Sequence, residues 1–266
     1  MSEMMMDRIR ENLVSLKMKR TLEILDNYLE RAVKDDLNVV EVLDHIFTEE
    51  ALSKHQRAID TQIQTSGFPM RKELKDFDFS FQPSIDRRQI EELATMRFLE
   101  NGENIVFLGP PGVGKTHLAT ALGLVAARHR RSTYYINCHQ LIEQLKKAHF
   151  EHRLQDRLKT LSRYKMLIID EIGYLPMDLQ GANLFFQLIA RRYEKASTIF
   201  TSNKTFSQWN EVFADLTIAS AILDRVLHHC TVINIKGESY RLKERKELMK
   251  QKHHLANTLF VGANAT

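Results

Sequence analysis

Two periodicities of apolar residues divide the chain. Up to about residue 66 they recur every three or four positions: Ile9, Leu13 and Leu16, then Leu22, Leu25 and Leu29, then Val39, Val42, Leu43 and Ile46. Side chains at that spacing share one face of a helix. No glycine or proline interrupts the pattern before Gly67. It predicts three or four helices packed as a small bundle over residues 1–66. Ser66-Gly67-Phe68-Pro69 then breaks it, as glycine and proline do between elements. Residues 67–88 read as a linker. Within it, Phe77-Asp78-Phe79-Ser80-Phe81 alternates aromatic and polar residues in the manner of an extended segment.

From residue 89 onward short, continuous apolar runs alternate with helical periodicity. Helices are predicted over 89–100, 116–129, 141–163 with one break, 181–195 and 219–229. Strands are predicted over 104–108, 133–137, 166–170, 198–202 and 231–235. Five apolar strands separated by helices indicate an α/β fold, a parallel five-stranded sheet covered on both faces. Such a pattern leaves the strand order open. The second domain is expected over 89–250, followed by a C-terminal tail over 251–266.

Composition adds exclusions. The chain of 266 residues is 43% apolar and 27% charged, and no apolar run approaches the ~18–20 residues that span a bilayer. Met1 to Arg10 lacks the apolar core of a signal peptide, so a cytoplasmic protein with no membrane partner is expected. Cys138 and Cys230 are far apart and form no Cys-x-x-Cys pair, which argues against a disulfide framework or a zinc ribbon.

The net charge of +4 is unevenly spread. Leu141 to Lys165 holds seven basic residues (Lys146, Lys147, Arg153, Arg157, Lys159, Arg163, Lys165) against three acids. Lys236 to Lys252 likewise holds seven against three. Each stretch nets +4, so the remainder of the chain sums to −4. Concentrated positive charge is what a polyanion partner requires.

The strongest chemical signal is Gly109-Pro110-Pro111-Gly112-Val113-Gly114-Lys115-Thr116, which fits G-x-x-x-x-G-K-[ST] between a predicted strand and a predicted helix. Glycines let the backbone turn several N–H groups toward one phosphate, and the helix start adds the positive end of its dipole. Lys115 reaches the β- and γ-phosphates of ATP, and the Thr116 hydroxyl coordinates Mg²⁺. His117 counts with the loop among the nucleotide-binding residues. Met166 to Ile169 form an apolar strand that ends in Asp170 and Glu171. The first acid suits the magnesium site, and the second can polarise the attacking water. Ile199-Phe200-Thr201-Ser202-Asn203 is another apolar strand with a polar end. If it lies beside the Asp170 strand, Asn203 reaches the γ-phosphate or the water.

These features together resemble the AAA+ superfamily. Five further stretches resemble the IstB proteins: Asp78-Phe79-Ser80-Phe81-Gln82-Pro83, Ile169 to Pro176, Thr201-Ser202-Asn203-Lys204, Ala221 to Val226 and Gly237-Glu238-Ser239-Tyr240-Arg241. IstB proteins are ATP-dependent transposition helpers of insertion sequences, similar to bacterial helicase loaders. The resemblance covers almost the whole chain. It implies an AAA+ P-loop core after an all-α N-terminal domain, an oligomer assembled on duplex DNA, and a partner transposase whose activity the protein assists. It also implies a site shared between subunits, with Arg225 as the finger that a neighbour supplies. About thirty residues follow Ile235, few for the usual helical lid, so no separate C-terminal lid domain is expected. Arg241 then stands in for the arginine that a lid would carry.

In the initiator and loader group of AAA+ proteins a helical element between the second strand and the acidic strand faces the central channel. Its counterpart here is the basic stretch 141–165, with Lys146, Lys147 and Arg153 as phosphate contacts. Such contacts bind DNA without reading sequence. Three other readings stay open: a replicative helicase loader, which would share nearly every motif, a small-molecule kinase, and a switch that binds ATP without hydrolysing it.

Overall fold

The computed structural model describes residues 2–243, 245–246 and 248–249, so the tail expected over 251–266 lies outside the described residues. The chain divides between Thr61 and Gln62 into two compact units.

The first unit is built from helices α1 (Ser2–Ser15), α2 (Lys19–Lys34) and most of α3 (Val39–Thr65). Leu13, Leu25 and Ile46 form its buried centre, flanked by Leu22, Leu29 and Val42. These are the positions whose periodicity predicted the bundle. One carboxylate is buried with them. Glu50 accepts hydrogen bonds from the Thr21 backbone N–H (2.8 Å) and hydroxyl (3.2 Å) and from the Arg57 guanidinium (3.1 Å). Partners of this kind offset the desolvation of a buried charge.

The second unit is a parallel sheet of five strands: β1 (Asn104–Leu108), β2 (Thr133–Asn137), β3 (Met166–Ile172), β4 (Ser197–Ser202) and β5 (Cys230–Asn234). Their order across the sheet is β2-β3-β4-β1-β5. The helices are α4 (Arg87–Leu93), α5 (Lys115–Arg128), α6 (Cys138–Phe150), α7 (Leu154–Arg163), α8 (Leu179–Arg192), the short α9 (Trp209–Val212) and α10 (Leu216–Leu227). Successive strand residues point to opposite faces, and both faces are covered. Val106, Leu108, Leu167, Ile169 and Phe200 pack with α6, α7, α8 and α10. Ile105, Phe107, Met166, Ile168 and Ile199 pack with α4 and α5. Double coverage is why these strands are apolar throughout rather than alternating.

The end of α3 belongs to this second unit, so the division falls earlier than residue 66. The Gln62 amide donates to the Arg131 carbonyl (3.0 Å), the Ser66 hydroxyl donates to the Thr133 carbonyl (2.9 Å), and the Tyr135 N–H donates to the Ser66 carbonyl (2.8 Å). These bonds fasten the helix end to edge strand β2.

Three elements depart from the sequence expectations. The helix expected over 89–100 begins earlier, where Asp86 caps it by accepting from the Arg88 N–H (2.8 Å). It stops at Leu93, and Met96 adopts φ +65° before a single 3-10 turn over Arg97–Leu99. Strand β3 continues two residues beyond Asp170 through an irregularity in its pairing with β4. Of Phe77 to Phe81, expected to be extended, Phe77 is extended and Phe79 to Phe81 form a turn. Asp78 Oδ1 accepts from the backbone N–H groups of Ser80 (3.0 Å) and Phe81 (3.2 Å), a local bond that competes with extended backbone.

One buried cation holds several elements together. Arg192, at the end of α8, is 2% exposed. Its guanidinium donates to the Thr198 hydroxyl and to the carbonyls of Leu161, Tyr164 and Ser197, at 2.5 to 2.9 Å. The planar fork of donors suits such a cluster of neutral acceptors. Burial raises both cysteine thiols to about 12, so neither is poised as a nucleophile.

Candidate functional site

The loop between β1 and α5 carries the glycine-rich motif. Gly112 has φ +82° and Gly114 φ +100°, conformations that glycine adopts without penalty. Space demands glycine too. A Cβ on Gly112 would lie 2.1 Å from Ser239 Oγ, and one on Gly114 would lie 2.5 Å from the Phe77 ring. Val113 is fully buried between them and anchors the loop. The Lys115 ammonium donates to the carbonyls of Gly109 (2.7 Å) and Pro110 (2.8 Å), which places it over the loop. Burial lowers its pKa, Asp170 opposes that shift, and the charge of Arg241 adds to it.

Asp170 stands at the C-terminal end of β3 and is 2% exposed. It accepts from three hydroxyls: Thr116 (3.0 and 3.1 Å to its two oxygens), Tyr135 (2.6 Å) and Thr201 (2.5 Å). Strand order explains this convergence. β2 and β4 flank β3, so Tyr135 and Thr201 arrive from either side, and Thr116 arrives from the first turn of α5. Burial, with Asp170 adjacent, raises the Tyr135 phenol well above its ordinary value, so it remains a hydrogen-bond donor.

Glu171 follows in the irregular part of β3. Its φ is +63°, unusual for a residue with a side chain. Its backbone N–H donates to Thr201 Oγ1 (2.9 Å), and its carboxylate accepts from the Asn137 side-chain amide (2.7 Å). The side-chain oxygen of the same Asn137 caps α6 by accepting from the His139 N–H (2.9 Å). One residue thus joins Glu171 to the helix that bears Lys146 and Lys147.

A cavity of about 370 Å³ opens on these groups. Its wall includes Gly112, Gly114, Lys115, Thr116, His117, Glu171, Asn203, Tyr240 and Arg241. His117 is half-buried, and its Nε2 lies 2.9 Å from the Glu73 carbonyl. Burial lowers its pKa. The far side is closed by two of the stretches noted in the sequence. The Tyr240 N–H donates to the Gly112 carbonyl (2.9 Å), its hydroxyl donates to the Asp78 carbonyl (2.5 Å), and the Gln82 amide donates to the Glu238 carbonyl (2.7 Å).

Not all expected site residues gather here. Arg225, on α10, is absent from the cavity wall. Its guanidinium donates to the Ala221 carbonyl (2.9 Å) and lies 4.9 Å from the centre of the Phe186 ring. Lys147 and Arg153 are exposed, whereas Lys146 is paired with Asp178 at 3.0 Å. Arg153 is paired with Glu151. Sequence reasoning passed over Tyr135, Asn137 and Thr201. Asn137 ends β2, Thr201 is next to last in β4 and Tyr135 sits in the middle of β2, so their meaning emerges once those strands are known to flank β3.

The family model described as IstB-like ATP binding protein matches residues 11–248. The chain belongs to the IstB family. It is 52% identical over 237 residues to the IS232 insertion-sequence protein of Bacillus thuringiensis subsp. berliner, across 89% of this chain and 95% of that one. It is 49% identical over 232 residues to the IS21 protein of Pseudomonas aeruginosa, across 87% and 88%. Both relatives are named for ATP binding. Among solved structures it is similar to DnaI, with a TM-score of 0.53 at 23% identity over 62% of this chain and 92% of that one. That likeness concerns the fold alone, a parallel sheet with a glycine-rich loop after its first strand. This chain is accordingly an ATP-binding protein of the IstB family, in keeping with its glycine-rich loop. Among the described residues no helix is long and apolar enough to cross a membrane.

Proposed function

We propose that the protein hydrolyses ATP with Mg²⁺ in an oligomer assembled on duplex DNA, and that it thereby assists a transposase of its insertion sequence. The observation that carries the catalytic part is the Thr116 hydroxyl held on the Asp170 carboxylate at the mouth of the glycine-rich loop. These are hard oxygen donors of the kind magnesium prefers, and the hydroxyls of Tyr135 and Thr201 orient the carboxylate from behind. The residues present fit the ion, which Thr116 and Asp170 would hold. Bound there, magnesium would neutralise charge on the β- and γ-phosphates.

The chain's own groups supply the rest. Loop N–H groups and Lys115 bind the phosphates. Glu171 accepts a proton from the attacking water, and Asn203 orients that water. Arg225 of a neighbouring copy stabilises charge developing on the γ-phosphoryl group. Its place outside its own cavity wall supports a role in trans. Arg241, in the cavity wall of its own chain, holds a phosphate in cis in this reading. The exposed Lys147 and the basic surface of α6 and α7 support a sequence-independent DNA contact.

ATP turnover, measured with and without duplex DNA, tests this reading. Stimulation that declines steeply with added salt is expected, because each neutralised phosphate releases counterions. Glu171→Gln is expected to retain ATP binding and lose turnover by ~10²-fold or more. Unchanged turnover in that variant would remove Glu171 from the mechanism. Turnover indifferent to DNA would remove the assembly step, and co-purification with a hexameric helicase would favour the loader.

A further inference from the structure

At the opposite end of the sheet from the glycine-rich loop, Glu194, His228 and His229 converge. Each presents one ligand atom, and the three lie within 4.8 Å of one another. Glu194 follows α8, and the two histidines occupy the step from α10 into β5. All three are about half exposed. Among the described residues no other cluster of histidine, cysteine and carboxylate groups meets this spacing.

We propose that these three residues form a binding site for one divalent metal ion of the zinc class. The donor set carries the assignment, since two imidazoles with one carboxylate suit zinc. Distances agree with it. Metal–ligand bonds of about 2.0–2.2 Å in a tetrahedron set donor atoms about 3.4 Å apart. Here Glu194 Oε1 is 3.5 Å from His228 Nδ1 and 3.6 Å from His229 Nε2.

The backbone beneath the cluster is fixed. The Asn104 N–H donates to the His229 carbonyl (2.8 Å), and the Asn104 side chain donates to the Val226 carbonyl (3.1 Å). Glu194 holds φ +58° and packs its carbonyl against Gly102. The Tyr193 hydroxyl lies 2.7 Å from His228 Nδ1, a bond that the incoming ion displaces. Three protein ligands leave the fourth position to water. The ion joins the end of α8 to the end of α10, within about one turn of Arg225. One strand length, about 16 Å for five-residue β1, separates this end of the sheet from the glycine-rich loop.

The test is calorimetric titration of ZnCl₂ into the untagged, metal-stripped full chain, alongside a His228→Asn/His229→Asn double variant and Glu194→Gln. The sequence holds 11 histidines, so the readout is the difference between proteins. The proposal expects one equivalent of zinc fewer in the double variant and at least tenfold weaker binding at that equivalent in Glu194→Gln. It also expects a tetrahedral Co²⁺ absorption band in the parent that the double variant lacks. Tyr193→Phe should bind at least as tightly as the parent. Equal stoichiometry and affinity in parent and double variant would overturn the site, leaving an ion pair between Glu194 and protonated histidines. Loss of the equivalent in Tyr193→Phe would overturn the ligand set.

Discussion

Replacing Asn137 by serine separates the two tasks of that side chain. Serine is a good helix N-cap, so its hydroxyl can keep the bond to the His139 N–H. It has no amide to reach Glu171, so the 2.7 Å bond to the carboxylate disappears. That bond is exposed to solvent, which sets its net worth near the ordinary range of about 0.5–1.5 kcal/mol rather than the higher range for buried charged partners. If it restrains Glu171 from the water, removing it raises the population of competent carboxylate by roughly twofold to tenfold, at 1.36 kcal/mol per factor of ten. Phosphate release from ATP without DNA reads this directly. Basal turnover is expected to rise by that factor while stimulation by DNA shrinks, because a smaller restraint remains to be relieved. Asn137→Ala should add a capping loss of about 0.5–2 kcal/mol, visible as a lower melting temperature. Basal turnover in the serine variant that is unchanged or lower, with folding intact, would refute the restraint and make Asn137 a positioning residue for catalysis.

Two further perturbations test the architecture. Gly112→Ala forces a methyl to within 2.1 Å of Ser239 Oγ at a positive φ. It should cost about 2–4 kcal/mol through strain and crowding, measured as a lower melting temperature and weaker nucleotide binding. Arg192→Met leaves a buried hydroxyl and three carbonyls without the guanidinium. A loss of at least ~3 kcal/mol in denaturant unfolding is expected, and a smaller loss would show that neighbouring donors take over.

The chemistry was more legible in the sequence than its assembly. Gly109 to Thr116, Asp170 and Glu171 stand out in the sequence because a phosphate or metal site, where one exists, demands particular residue types at particular spacings. The central strands β1, β3 and β4 were legible because burial on both faces gives them short apolar runs, whereas edge strands β2 and β5 are only partly buried. Strand order is a long-range outcome, and the roles of Tyr135 and Thr201 depend on it. Phe77 to Phe81 misled because its alternation arises from aromatic clustering. Phe77 meets Phe79, His117 and Tyr240 edge-on at 4.9 to 5.7 Å, while Asp78 turns the backbone. The helix expected over 89–100 was overextended because nothing local forbids helix at Met96, where the tertiary structure imposes a left-handed residue.

The wall that Asp78 and Tyr240 give the cavity bears on how the protein is made. The bond from Gln82 to Glu238 spans 156 residues, and β5 completes the sheet only after every other strand. A nascent chain still held by the ribosome at residue 230 has its glycine-rich loop and both acids. It lacks the strand beside β1 and the wall formed by Tyr240 and Arg241. The cavity wall is therefore complete only once the segment that carries Tyr240 and Arg241 has been made and β5 has joined β1.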